Sequence, residues 1–189
     1  MKIETNRLIL REWTDNDVDA LINGLNNYDT AKNLTVPFPY TEQNARIFIN
    51  KSKQKADSKH FHFAITLKNT SRVIGGTSLS IKDEKNADNG GIWLHRDYKG
   101  KGYGTEVWAT MAKVGFDIIG LDKIISGYYE FNKNSEHLHK KVGFKPIGED
   151  MVFCPTLNKE VKEIKVKLSH EDFKSFYNSQ NYKFIIIDE

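Results

Sequence analysis

The sequence predicts a single α+β domain in which antiparallel strands pack against a few helices. Apolar and polar residues alternate over 61–67, and this period of two is typical of a half-buried strand. Over 107–118, apolar residues instead recur every three or four positions, which indicates an amphipathic helix. Segments of both kinds follow one another without internal repeats or linkers, and this order favours an α+β fold.

The other elements are predicted from the same periods. Further strands are expected at 7–13, 73–81, 91–94 and 123–129, from Phe144 onward, and around 164–168. Further helices are expected after the N-caps Thr14 and Thr41 and at 135–142. Near the C-terminus, 172–177 is predicted as a helix and 183–187 as an additional strand. A bare apolar strand is an aggregation hazard, so we expect it to pair with a sheet edge, within the chain or across a dimer.

Composition indicates a globular protein. Its 189 residues are enough to bury a core, no apolar run is long enough to cross a bilayer, and no signal-peptide pattern is present. The net charge of +3 is small and dispersed, which argues against a nucleic-acid partner. The single cysteine, Cys154, excludes an internal disulfide and favours the cytoplasm. The histidine pairs His60/His62 and His137/His139 lack a surrounding Cys/His cluster, so we expect no metal site.

A glycine-rich turn at 99–104 lies between an apolar strand and the helix at 107–118. Its three glycines stand at alternate positions, where they let the backbone approach a ligand closely. The first N–H groups of the helix lack internal partners and lie at the positive end of the helix dipole, so the turn suits a diphosphate. Lys99 and Lys101 would add two positive charges at its rim. An ordinary tight turn with two solvated lysines is the alternative.

This turn and three other segments resemble one family. Lys99-Gly100-Lys101-Gly102-Tyr103-Gly104 resembles the acetyl-CoA pyrophosphate loop of the GNAT acyltransferases, Gln/Arg-x-x-Gly-x-Gly/Ala, with Lys99 at the Gln/Arg position. Residues 5–11, Ile92-Trp93-Leu94, and Asn132-x-x-Ser135 followed by Lys141-x-Gly143-Phe144 resemble the RimJ/RimL-type branch of that family. The matching pieces follow family order from residue 5 to residue 168.

The resemblance implies the GNAT fold, a mixed and mostly antiparallel sheet with splayed central strands. About six to seven strands and about four flanking helices are expected. A GNAT domain would span residues 1–169, and 170–189 would form an extension packed on the same domain or on a dimer partner. Dimers are common in this branch, so a homodimer is one expected assembly, and the oligomeric state stays open. No membrane partner is expected.

The implied activity is transfer of an acetyl group from acetyl-CoA to a primary amine. In this family the amine attacks directly in a ternary complex, so no metal is expected and Cys154 is not expected to be a nucleophile. The cofactor-binding residues implied by the resemblance are Trp93, Leu94, Lys99, Gly100, Lys101, Gly102, Tyr103, Gly104, Thr105, Asn132, Ser135 and Lys141. Trp93 and Leu94 would hold the pantetheine arm through their backbone, and Asn132 would bond its amide.

Two proton transfers need their own residues. Ser135 and His139 share a helix face, and either could protonate the leaving thiolate. Ser135 is preferred because it belongs to the matched motif, and His139 could instead be a packing residue. The branch often has Glu where this chain has Asn89, so Asp88 is the nearest carboxylate for deprotonating the amine. Water-relayed deprotonation and Glu149 are the alternatives.

The sequence leaves three functional hypotheses open. The RimJ/RimL resemblance favours a protein N-terminal amine as acceptor, and a polyamine, aminoglycoside or other small amine is the second hypothesis. A non-catalytic acetyl-CoA-binding module is the third, supported by the absence of Glu at Asn89. Acceptor choice is expected to reside in 26–40, where aromatic residues lie between prolines, and in 144–160.

Overall fold

The computed structural model describes residues 2–54, 60–179 and 183–187, without the side chains of Gln54 and Asn89. These residues form a nine-stranded mixed sheet and six α-helices, so the predicted α+β class is confirmed. The strands are β1 (Lys2–Thr5), β2 (Leu8–Glu12), β3 (His60–Leu67), β4 (Val73–Ile81), β5 (Asn86–Leu94), β6 (Lys123–Tyr129), β7 (Lys145–Cys154), β8 (Lys159–Ser169) and β9 (Phe184–Ile187). The helices are α1 (Val18–Leu25), α2 (Tyr28–Ala31), α3 (Glu42–Gln54), α4 (Tyr103–Lys113), α5 (Lys133–Val142) and α6 (His170–Tyr177).

The two central strands of the sheet diverge. The strand order is β7-β8-β6-β5-β4-β3-β2-β1-β9, and among these neighbours only β5 and β6 are parallel. They pair only where residues 86–88 lie beside 123–125. Beyond that ladder, β5 continues to Leu94 and β6 to Tyr129. The space between 89–94 of β5 and 126–129 of β6 is called the central gap below.

A β-bulge in β5 accompanies this divergence. Thr77 lies opposite Ile92 and Leu79 lies opposite Asn89, so β5 has one extra residue between these two rungs. The bulge includes Gly91, whose φ of +93° is in the region that favours glycine. Because a bulge bends its strand and increases the local twist, β5 turns away from β6 beyond this point.

Helices cover both faces of the sheet. On the front face, α1 and α3 pack over the β2–β5 half around Trp13 and Ile49. On the back face, α4, α5 and α6 enclose the larger core, which includes Trp108 and Phe173. The β6–β8 half of the front face carries a smaller buried cluster around Tyr129. The front face is therefore less covered on the β6 side of the central gap.

The sheet has nine strands rather than about six to seven, and six helices are present rather than about four. β1 has only four residues, too few to show a period, and two of them are charged. The additional strand predicted at 183–187 forms as β9 and pairs antiparallel with β1 of the same chain. α2 is a single turn, and so short a helix has no apolar stripe to read in the sequence.

The helix after the glycine turn ends differently from its prediction. Its apolar period places Ile118 on the buried face, but Ile118 is 54% exposed. A π-helical segment, Val114–Ile119, follows α4 directly. Because a π turn contains more residues than an α turn, side chains after Val114 rotate off the buried face of α4. Within this segment, Val114 and Phe116 pack into the core.

A buried carboxylate in the first turn of α4 holds the turn between β1 and β2. Glu106 is fully buried and accepts hydrogen bonds from the Thr5 hydroxyl at 2.6 Å and the Arg7 backbone N–H at 3.1 Å. The Nε of Arg7 donates to its second oxygen at 2.7 Å. The sequence indicates only that the helix dipole favours an acidic residue here. The actual contacts join positions about a hundred residues apart.

We expect Glu106→Ala to lower the free energy of unfolding by about 3 kcal/mol, because it leaves buried donors without an acceptor. Glu136→Ala is the matched control, since Glu136 pairs with exposed Lys133 and Lys140 on the surface of α5. That loss should be much smaller, because solvent screens an exposed ion pair. Urea unfolding followed by circular dichroism measures both variants. A loss at Glu106 no larger than at Glu136 would contradict the anchoring role.

Candidate active site

The glycine turn leads directly into α4. Gly100 and Gly102 have φ values of +75° and +80°, where glycine is favoured, and Gly102 is the N-cap of the helix. A Cβ added to Gly100 would meet no atom within 4 Å, so the space beside the turn is open. The N–H groups of 103–105 belong to the first helical turn and lie at the positive end of its dipole. The geometry therefore suits a diphosphate.

Arg7 fixes this turn from the N-terminal side of the sheet. Its Nη1 donates to the Lys101 carbonyl at 3.0 Å, while its Nε binds Glu106. Its guanidinium carbon lies 4.5 Å from the centroid of the Tyr103 ring. Sequence reasoning did not assign Arg7 to the site, because this contact leaves no local pattern in the sequence. The guanidinium therefore connects the buried carboxylate to the turn that borders the anion site.

The two lysines of the turn occupy different surroundings. The Nζ of Lys99 donates to the Thr30 hydroxyl at 3.1 Å, and burial lowers the pKa of Lys99. Lys101 is exposed, with its Nζ 5.4 Å from the Tyr98 ring centroid. Both lysines are exposed at the turn, and Lys99 in addition connects the turn to α2 through Thr30.

The end of β5 borders the central gap just before the glycine turn. Trp93 lies opposite Gly76 and Leu94 opposite Gly75 on β4, so the other edge of this segment faces the gap. The Trp93 indole lies on the front face between two glycines. A Cβ added to Gly24 or Gly76 would come within 2.3 or 2.7 Å of it. This close packing fixes the backbone that borders the gap.

The first turn of α5 approaches the site from the back face. Asn132 caps the helix through its Oδ1, which accepts from the Ser135 N–H at 3.2 Å. The NH₂ group of Asn132 is thus the part that can donate to a ligand carbonyl. Ser135 is half-buried in the same turn. Lys141 lies exposed in the last turn, about 13 Å farther along the helix axis, so the structure does not bring it together with Asn132.

Comparison with known proteins identifies the family. Residues 7–145 match the family model described as an acetyltransferase (GNAT) domain. The chain belongs to the GNAT acetyltransferase family. A relative from Bacillus subtilis (strain 168), the uncharacterized N-acetyltransferase YnaD, is 27% identical over 151 residues, which cover 78% of this chain and 85% of that protein.

Solved structures share the GNAT fold. RimJ of Mycobacterium smegmatis, in complex with CoA-disulfide, has a TM-score of 0.79 at 15% identity and matches 91% of this chain and 88% of its own. Spermidine N-acetyltransferase from Vibrio cholerae, in complex with CoA and spermine, has a TM-score of 0.75 at 18% identity and matches 88% and 98%. At these identities the likeness shows the fold, so the predicted GNAT fold is confirmed.

In this GNAT domain His139 belongs to the core. It is 3% exposed, and its ring packs against Trp108 and Tyr128. The tautomer that satisfies both ring nitrogens donates from Nδ1 to the Ser135 carbonyl at 2.8 Å and accepts at Nε2 from the Ser126 hydroxyl at 3.1 Å. Burial lowers its pKa to about 4. The prediction that His139 donates a proton is corrected, because a buried neutral ring with both nitrogens bonded is a packing residue.

Asp88 lies on the front face, at the end of the β5–β6 ladder nearest the central gap. It is opposite Ile125, which shares a face with Gly127 by alternation along β6. Its carboxylate pairs with the Nζ of Lys82 at 3.1 Å and its side chain is 48% exposed. Asp88 is therefore close to the gap, but solvent and an ion pair already stabilise its charge.

Glu149, the weaker candidate for the base, lies on the other face of the sheet. It is opposite Ile164 on β8, and Ile164 packs against the back-face core. Its carboxylate pairs with Lys162 at 3.4 Å. Glu149 is therefore on the opposite face from Asp88, and its charge is already paired. The side chain of Asn89, where the branch often has Glu, is outside the described residues.

The segment 26–40 crosses the front face from the glycine turn to the turn between β7 and β8. Lys99 binds it at Thr30. The buried thiol of Cys154 donates to the Lys32 carbonyl at 3.6 Å, and the Thr156 hydroxyl donates to the Val36 carbonyl at 3.1 Å. This segment therefore contacts 144–160, the other region that was expected to set acceptor choice.

The aromatic residues of this segment have two roles. Tyr40 is buried in the front core, and Val36 packs against the same core. Tyr28 and Phe38 are 48% and 39% exposed, with their ring centroids 5.6 Å apart in an edge-to-face arrangement. The segment therefore covers part of the front core and also presents an exposed aromatic pair.

Two further observations concern membrane spans and metal sites. No helix of the described residues has the length and apolar character needed to cross a bilayer. Among the same residues, no three His, Cys, Asp or Glu side chains form a group that could hold a metal ion.

Acidification is expected to destabilise the fold through His139. Its folded pKa of about 4 lies below the value of about 6.5 for an unfolded histidine, so the unfolded chain binds a proton first. The stability that neutral His139 contributes is fully present above pH 6.5 and is lost as the pH falls from about 6.5 to about 4. Complete loss corresponds to about 3 kcal/mol.

Urea unfolding at pH 7 and pH 4.5 measures this loss, and His139→Asn is the comparison. The variant should lose less stability over the same interval, because its amide does not titrate. Titration of the carboxylates changes the free energy of unfolding equally in both proteins. Their effect therefore cancels when the two losses are compared. An identical pH dependence in the two proteins would contradict a neutral buried imidazole.

Proposed function

We propose that this GNAT enzyme binds acetyl-CoA and transfers its acetyl group to a primary amine by direct attack in a ternary complex. The observation that carries the proposal is the open glycine turn at the start of α4, directly after the strand edge that borders the central gap. Leu94 and Lys99 are separated only by a short loop that contains the 3₁₀ turn Arg96–Tyr98. An anion site and an extended backbone edge are thus adjacent, as a diphosphate with a flexible arm requires.

Each part of acetyl-CoA would meet a different group of residues. The pyrophosphate would bind to N–H groups of the glycine turn, with the Lys101 ammonium beside them. The pantetheine arm would pair with the free backbone edge of Trp93 and Leu94, and the NH₂ group of Asn132 would donate to one of its carbonyls. The proposed pyrophosphate set is Gly100, Lys101, Gly102, Tyr103, Gly104 and Thr105.

Bound acetyl-CoA supplies an activated thioester carbonyl. A backbone N–H at the end of β5 would donate to the carbonyl oxygen, where negative charge develops during attack. The Ser135 hydroxyl would give its proton to the leaving thiolate and would take a proton back from water. His139 fixes this turn of α5 by bonding the Ser135 carbonyl and Ser126. If Ser135→Ala keeps the wild-type kcat, Ser135 does not protonate the leaving sulfur.

Gly100→Asp is expected to weaken acetyl-CoA binding by about tenfold or more relative to Gly100→Asn. Aspartate and asparagine both tolerate a positive φ better than other side chains do. No atom lies within 4 Å of a Cβ added at this position. The two variants therefore differ in one negative charge beside the diphosphate, and about 1.4 kcal/mol of repulsion gives tenfold. Calorimetric titration with acetyl-CoA measures Kd. Equal Kd values would contradict a diphosphate at this turn.

We infer a protein N-terminal amine as the acceptor, as in the RimJ/RimL-type branch. The exposed pair Tyr28 and Phe38 favours an acceptor that carries an apolar group near its amine. Spermidine, named for the Vibrio cholerae neighbour, represents the second candidate. An acidic front face would favour such a polycation, but Asp88 pairs with Lys82 and Asp150 pairs with Lys165. The paired carboxylates give the peptide the stronger support.

Thiol release from acetyl-CoA is measured with two candidate acceptors. One is a peptide with N-terminal Ser followed by Phe, and the other is spermidine. The peptide should have the higher kcat/KM. Tyr28→Ala should raise its KM by about threefold or more, corresponding to about 0.7 kcal/mol of lost contact. Ile47→Ala is the control, because Ile47 is exposed to a similar degree on α3 and should leave KM unchanged.

Two results would change the assignment. A higher kcat/KM with spermidine would assign a small polycationic acceptor. Tight acetyl-CoA binding without thiol release for a broad set of amines would assign the non-catalytic module. Either result would leave the cofactor site in place, since calorimetry tests that site independently of turnover.

A further inference from the structure

A carboxylate with no role so far lies on the front face beside the central gap. Glu163 of β8 is directly opposite Tyr129 of β6, so both side chains point to the front. The carboxyl group reaches diagonally across β6 to Gly127. A Cβ added to Gly127 would be 2.6 Å from Oε1 of Glu163, which shows that the carboxylate occupies the space that this glycine leaves.

Gly127 places that carboxylate at the gap. The last paired rung between β5 and β6 joins Asp88 to Ile125, and Gly127 is two residues farther along β6. It therefore belongs to the part of β6 that borders the central gap, on the same face as Ile125. The glycine turn and α5 approach the gap from the back face, whereas Glu163 approaches it from the front. An acceptor entering from the front would meet Glu163 as it reaches the gap.

The surroundings of Glu163 do not neutralise it. In the described part of the chain its carboxylate has no hydrogen-bond or ion-pair partner. Lys165, a cation two residues away on the same face, pairs with Asp150 at 3.0 Å. Tyr129, also on this face, is buried. Burial raises the pKa of Glu163, and the opposing effect of Lys165 is smaller.

A half-buried carboxylate without a partner is costly. Filling the space above Gly127 does not require a charge, because a glutamine or methionine would fill it as well. A positively charged ligand would compensate the carboxylate, and an amine acceptor is a cation before it reacts. These features distinguish Glu163 from Asp88, whose exposed carboxylate is already paired with Lys82.

We propose that Glu163 is the general base that deprotonates the acceptor amine. The assignment rests on the proposed acetyl transfer. The ammonium form of the acceptor would bind the Glu163 carboxylate and give it one proton. The nitrogen lone pair then forms the C–N bond with the thioester carbonyl carbon, the C–S bond breaks, and CoA leaves as a thiolate that takes up a proton. The second proton lost from nitrogen goes to solvent.

Glu163→Gln tests the base, with Glu171→Gln as the control. Glu171 is an exposed carboxylate in the first turn of α6, on the back face of the sheet. With the N-terminal Ser-Phe peptide at pH 7, Glu163→Gln should lower kcat/KM by about 100-fold or more, the usual contribution of a general base. Glu171→Gln should remain within about twofold, and both variants should keep the wild-type Kd for acetyl-CoA.

The pH profile separates a base from a structural residue. A peptide α-amino group has a pKa of about 8, so the acceptor is already neutral at pH 9. The defect of Glu163→Gln should therefore shrink by about tenfold between pH 7 and pH 9. A defect that is constant across this range would overturn the proposal, because misfolding or misplacement does not depend on ionisation of the acceptor.

Gly127→Ala provides a second test that leaves the carboxylate in the chain. The new Cβ displaces the Glu163 carboxylate and should lower kcat/KM by about tenfold or more. In a Glu163→Ala background, the same substitution should cost less than about twofold, because no carboxylate remains to be displaced. Additive losses in this double-mutant cycle would overturn the assignment.

The outcomes distinguish the two proposals. Wild-type turnover that is lost in Asp88→Asn but kept in Glu163→Gln would assign the base to Asp88 and leave acetyl transfer intact. A wild type that binds no acetyl-CoA and acetylates no amine would overturn the proposed function and the role of Glu163 together. Melting temperatures of all variants are measured alongside, and the unpaired charge predicts that Glu163→Gln unfolds no earlier than the wild type.

Discussion

The position of the glycine turn at 99–104 depends on the Glu106 carboxylate. This carboxylate is fully buried in the first turn of α4 and binds the Thr5 hydroxyl, the Arg7 backbone and the Arg7 side chain. Arg7 also donates to the Lys101 carbonyl. Because an unpaired buried carboxylate is expensive, the loss of one contact weakens the others. The turn between β1 and β2 is thereby connected to the glycine turn that follows β5.

The central gap divides the chemistry between the two faces of the sheet. Separation of β5 from β6 after only three paired rungs exposes backbone groups that a regular sheet would use internally. The back face supplies the glycine turn and the first turn of α5, which suit a long anionic cofactor. The front face supplies the segment 26–40 and Glu163, which suit a cationic acceptor. Reaction in the gap then requires no movement of either ligand across the sheet.

Local patterns predicted the parts of the site that local forces determine. The glycine turn, the helix after it and the hairpin of β3 and β4 follow from backbone angles and periods within a few residues. The direction of the Lys99 side chain depends instead on Thr30, and burial of His139 depends on Trp108 and Tyr128. The correct spacing of Ser135 and His139 places them on one helix face, but only tertiary packing decides that His139 is covered. Glu163 was missed for the same reason, since its relation to Gly127 exists only across paired strands.

The packing of Trp93 has a consequence for the backbone that borders the central gap. Its indole is enclosed by Gly24 of α1 and Gly76 of β4 so closely that neither position has room for a methyl group beside it. The position of α1 and the end of β5 therefore depend on each other through this one ring. Since α1 leads directly into the segment 26–40, the same contact connects that segment to the strand edge at the gap.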